Sequence, residues 1–79
     1  MRVVKEIFVE DIRVSIFAWN NKYLIKFETG PLEQTYKVSE IDILDEVDLE
    51  TFFSGDFLNN VKKRFKEMGQ NLQKHLENL

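Results

Sequence analysis

Few residues in this chain of 79 could carry covalent or metal chemistry. Histidine occurs once, at His75, and cysteine is absent, so a zinc site has neither thiolates nor a second imidazole to draw on. Ser15, Ser39 and Ser54 would have to share that one imidazole as a general base, and no local motif surrounds any of them. Three scattered glycines build neither a phosphate-cradling loop nor a dinucleotide fingerprint. Carboxylates are plentiful in EIDILDEVDLE, residues 40–50, yet Asp42, Asp45, Glu46 and Asp48 lack the alternating ligands and central glycine of a calcium loop. They read as an exposed acidic surface, which also discourages this stretch from adding to a sheet edge. No catalytic, cofactor-binding or metal-ligating residue is assigned, and the chain reads as non-enzymatic.

What remains is binding. The stretch FAWNNKYLIKF, residues 17–27, brings the single tryptophan beside apolar and basic side chains. If Asn20 and Asn21 form a two-residue hairpin loop, Trp19 faces Lys22, Ala18 opposes Tyr23, Ile16 opposes Ile25 and Val14 opposes Phe27, so one face is wholly apolar. The other face pairs Arg13 with Glu28, Ser15 with Lys26 and Phe17 with Leu24. There Phe17, Trp19 and Leu24 cluster among Lys22, Lys26, Lys37 and Arg13. Aromatics amid bases on a sheet suit single-stranded nucleic acid, whose bases stack on rings while its phosphates follow cations. Two other readings stand beside it. The patch is a protein interface, whose basic rim could meet an acidic partner such as another copy's 40–50 segment. Or it is covered by the 40–55 segment, whose Ile43, Leu44, Val47, Phe52 and Phe53 also need burial.

Charge weighs against the nucleic-acid reading. The net charge is −3 and the sequence pI about 5.1, which opposes nonspecific affinity for polyanions. Residues 1–39 carry +1 and residues 40–79 carry −4. Within the second half the six acids of 40–50 are followed by the basic run VKKRFK at 61–66. Such runs are usually solvated faces. Composition, 43% hydrophobic and 32% charged, describes a soluble globular chain. No window approaches the roughly 18 apolar residues of a membrane span, and Glu6, Glu10 and Asp11 interrupt any signal-like run, so a cytoplasmic location without membrane contact is expected.

The elements that must position these residues follow from periodicity. Alternation persists to about residue 39, with a second turn at Gly30-Pro31 and a strand over 33–39 that sets Tyr36 and Val38 on the apolar face. Residues 3–9 read as a further strand, although Glu10-Asp11 is a poor tight turn and Val3 to Val9 lacks a clean phase; one long bulged strand over 3–19 is the alternative. Residues 40–47 read as irregular, and Asp48 caps a short helix near 48–54. A long helix over about 57–77, capped by Asp56, carries the seam Leu58, Val61, Phe65, Met68, Leu72, His75 and Leu79 at spacings of three and four. Gly69 flanks that seam and marks a close neighbour, a kink or an end.

The expected fold is therefore α+β, one domain over residues 1–79: an antiparallel meander of three or four strands within about 3–39, covered on one face by the C-terminal helix. The order of strands then helix is similar, in topology alone, to single-stranded-DNA-binding coactivator and Whirly-type domains, with no shared motif. At 1.5 Å per residue the helix is about 33 Å long against about 30 Å for the longest strand, so its last turns pass the end of the sheet. Met68, Leu72, His75, Leu76 and Leu79 then meet the same helix of a second molecule in a homodimer, or pack on the chain's own first strand or short helix.

Overall fold

A computed structural model describes residues 1–79. Four antiparallel strands, β1 (Arg2–Val9), β2 (Ile12–Trp19), β3 (Lys22–Thr29) and β4 (Leu32–Ser39), pair in sequence order. Two 3₁₀ segments, Glu40–Asp42 and Glu46–Phe53, lead into one long helix, α1 (Gly55–Glu77). The α+β meander and its covering helix agree with the sequence reading.

The central hairpin explains the rest of the sheet. Asn20 and Asn21 both take positive φ, 56° and 64°, the combination a type I′ turn requires and asparagine tolerates. That turn sets Trp19 opposite Lys22, Ile16 opposite Ile25 and Val14 opposite Phe27, the register anticipated from the pattern. Gly30, at φ 54°, closes the next turn so that Tyr36 pairs with Ile25 and Val38 with Tyr23. Val14, Ile16, Ile25 and Phe27 are fully buried as a result. At about 25 cal/mol per Å² of apolar surface removed from water, this face is the principal source of stability.

At the first turn the structure selects between the two readings of residues 3–19. The turn at Glu10-Asp11 forms after all, with Glu10 at φ 59°, so β1 and β2 are separate strands and not one long bulged strand. Lys62 secures that turn to the helix through a 3.0 Å ion pair with Glu10. The phase of β1 is irregular because the register slips between Val3 and Lys5. This bulge lets Val4 and Ile7, three residues apart, both pack against the core.

The caps differ as well. Asp45, not Asp48, caps the eight-residue 3₁₀ helix, accepting a 3.1 Å bond from the Val47 amide. Gly55, at φ 58°, turns the chain into α1 behind Ser54, so Asp56 lies in the first helical turn and is not its cap. Its charge still favours the positive end of the helix dipole.

Both covering elements lie on the same side of the sheet. Leu49 from the 3₁₀ helix and Leu58, Val61 and Phe65 from α1 join the strand residues in one core. Phe57 sets α1 over β3 and β4, with its ring centroid 6.1 Å from Phe27 and 5.1 Å from Tyr36. Gln34 of β4 donates a 2.9 Å bond to the Val61 carbonyl.

Gly69 neither kinks nor ends α1. A Cβ built there would sit 3.5 Å from Leu32 Cδ1, an ordinary van der Waals contact. Gly69→Ala is therefore expected to stabilise the fold by about 1 kcal/mol, raising Tm by about 4–8 °C for a chain of this size. Calorimetry of the pair checks this, and a lowered Tm would show that the helix needs closer approach at that point.

Candidate functional site

The outer face of the sheet is open. The 40–55 segment expected as one cover for it packs on the opposite face instead, with Leu49 buried and Ile43, Phe52 and Phe53 packed against the core. Trp19 is 48% exposed, and Phe17 and Leu24 are half-buried by their strand neighbours alone. Val3, opposite Phe17, extends this apolar row onto β1. Met1, Phe17, Leu24, Lys26, Glu33 and Thr35 line a shallow depression of about 340 Å³.

Charges on this face are mixed. Glu28 and Glu33 lie directly opposite one another on β3 and β4, an arrangement that repels. Lys26 relieves it, its ammonium lying 3.8 Å from one carboxylate and 3.6 Å from the other. Arg13 is paired with Glu6 at 3.4 Å. Two of the four bases are thus neutralised locally. Lys22 and Lys37 make no ion pair; the Lys22 ammonium stands 6.0 Å from the Trp19 ring centroid, within cation–π range. Phe17, Trp19 and Leu24 thus share one open face, with less positive field than a count of its bases implies.

The second candidate surface is the end of α1. Val61 and Phe65 are buried, Met68 packs against the core, and from Gln70 onward every residue is exposed. Leu72 is 38%, Leu76 56% and Leu79 86% exposed, and His75 lies among them. The stripe does not fold back on the first strand or the 3₁₀ helix. It continues the buried seam of α1 into open solvent.

A third feature escaped the sequence reading. Leu44 and Val47, expected to need burial, are 95% and 59% exposed, and Ile41 is 86% exposed. Ile41 and Leu44 line an open cleft of about 560 Å³ together with Tyr23, Ser39, Ile43 and Glu46. The signal was present in the acids interleaved with these aliphatics, which hold the segment at the surface. Glu46 and Glu50 moor it to β1, through Arg2 at 2.6 Å and Lys5 at 3.7 Å.

Ser54 and the one imidazole are not brought together. His75 stands on the projecting end of α1, while Ser54 lies before its first turn, roughly 30 Å away at 1.5 Å per residue. Ser15 is only 2% exposed beneath its cross-strand neighbours. No group of three or more His, Asp or Glu side chains is gathered closely enough to hold a metal ion, and no helix is long and apolar enough to cross a membrane.

The cleft margin does perturb ionisation. Glu46 Oε2 accepts bonds from Arg2 at 2.6 Å and from the Tyr23 hydroxyl at 3.3 Å. The Arg2 hydrogen bond, aided by its charge, holds the Glu46 carboxyl below its usual range and raises Arg2 in turn. Burial raises Tyr23, and the neighbouring Glu46 charge adds to it. The Glu46 contribution is therefore present above the unfolded carboxylate value and lost as pH falls through the lower folded one. The Tyr23 contribution is present below about pH 10 and lost as pH rises through its higher folded value. Glu46→Gln should flatten the acid limb of a Tm-against-pH curve and Tyr23→Phe the alkaline limb; curves parallel to wild type would exclude both assignments.

No family model matches the chain, and no curated protein or solved structure matches it at a significant level.

Proposed function

We propose that this chain is a small non-catalytic protein-interaction module that self-associates through the C-terminal end of α1. The observation that carries this reading is the exposed pair Leu72 and Leu76, aligned with the buried Leu58, Val61 and Phe65 on one continuous helix, with exposed Leu79 just past its end. An apolar seam that runs on past the buried core of a projecting helix is a natural surface for a second copy of the chain. Sedimentation velocity across the micromolar range tests it. The wild-type mass should rise from 9.4 kDa toward twice that value, and Leu72→Asp/Leu76→Asp should remain at the lower mass. Both positions lie outside the core, so the variant's Tm should move little. A wild type that stays monomeric at high micromolar concentration would end the proposal.

A second reading, single-stranded nucleic acid on the outer face, is favoured by the half-exposed Trp19 with Lys22 beside its ring. It is opposed by the carboxylates that engage Lys26 and Arg13. Trp19 is the only indole, so its emission reports this face alone. Saturable quenching by a mixed-sequence oligonucleotide at low salt, reversed by added salt, would support this reading. Emission indifferent to the oligonucleotide would leave the face to a protein partner.

A further inference from the structure

We infer that two copies join by antiparallel pairing of their β4 edges about a two-fold axis through Thr35, a geometry that rests on the self-association proposed above. β1 and β4 are the two edges of the sheet. The β1 edge is interrupted by the bulge at Val4, a feature that disrupts regular pairing. β4 pairs with β3 through eight successive residues without a shift, and Pro31, which cannot donate, lies outside it.

The direction of the backbone groups defines what β4 offers. Glu40 donates a 3.0 Å bond to the Asn21 carbonyl, continuing the β3–β4 ladder. Because ladder bonds alternate along an antiparallel strand, the even-numbered residues turn their N–H and C=O groups toward β3. Glu33, Thr35 and Lys37 turn theirs toward the open edge.

A second β4 can satisfy those groups in several registers, and side chains choose among them. Centring on Glu33 or on Lys37 sets like charges against each other across the axis. Centring on Gln34 or Tyr36 leaves both charges opposite neutral residues. Centring on Thr35 alone pairs Glu33 with the partner's Lys37 twice, and Thr35 with its own copy. Opposite charges and threonine pairs are the favourable cross-strand combinations. On the covered face, the same register sets Leu32 against the partner's Val38. Lys37 makes no ion pair within its own chain, and a lysine on an edge strand ordinarily discourages pairing; here the partner's Glu33 would answer it.

The same geometry offers the helix stripe a neighbour. Leu32 begins β4 and lies beneath Gly69, so α1 projects past this end of the strand. Antiparallel pairing places the partner's Val38 beside Leu32, and the partner's Ile41 and Leu44 follow at that end. Those side chains are 86% and 95% exposed in the single chain. Leu72 and Leu76 would close on them, with Lys74 approaching the partner's Asp42 and Asp45.

Reciprocal charge exchange tests the register. Lys37→Glu, Glu33→Lys and the double exchange would be compared with wild type and with Leu72→Asp/Leu76→Asp by sedimentation, with Tm confirming that each variant folds. Each single exchange should raise the dimer Kd about tenfold or more, and the double should return to within about threefold of wild type. Failure of the double to recover would overturn this register. A dimer insensitive to all three exchanges but lost in the leucine variant would overturn edge pairing while leaving helix-mediated association intact. A monomeric wild type would overturn both.

Discussion

Two consecutive asparagines in the left-handed region govern this fold. A strand has a period of two, so moving the β2–β3 pairing by one residue would set Ile25 and Phe27 on the opposite face from Val14 and Ile16 and split the core. The Asn20-Asn21 turn fixes that choice locally. Once it is fixed, the third and fourth strands have one apolar face to extend, and the 3₁₀ helix and α1 have one surface to cover. The ten-residue core is therefore built around a register set by a turn that lies outside it.

Where short-range chemistry decides the structure, the sequence was legible. The central hairpin, the turn at Gly30-Pro31, the helix seam and its overrun past the sheet could all be read from period and turn residues. Where a long-range contact decides, it was not. Glu10-Asp11 looks poor as a turn until Lys62, brought in by the helix, pairs with Glu10. The β1 phase looks broken because a bulge absorbs one residue, and a bulge has no fixed composition. The outer-face cluster was legible as a grouping of Phe17, Trp19 and Leu24, but its exposure depended on which face the 40–55 segment chose. That choice is made by Leu49, Arg2 and Lys5 together, across more than forty residues of chain.

The exposed apolar side chains are unevenly placed. Trp19 lies at the Asn20-Asn21 end of the sheet, and Ile41 and Leu44 are at that same end, where β4 leaves the sheet. The leucine stripe lies at the other end, past Leu32. In a chain this small, whose buried surface is about 60% of what its unfolded form exposes, such clusters oppose solubility unless charge surrounds them. The acids of 40–50 and the carboxylates around Lys26 meet that need while also biasing what each surface can bind.

The bulge at Val4 has a consequence for growth. A sheet with two regular edges can add copies without end, the route by which strands stack into cross-β fibrils. Here one edge is made irregular by a single extra residue whose side chain still packs against the core. Straightening it would withdraw Val4 or Ile7 from that core, so protection against polymerisation is tied to folding stability. Loss of this safeguard would carry a thermodynamic penalty in the monomer before any fibril could form.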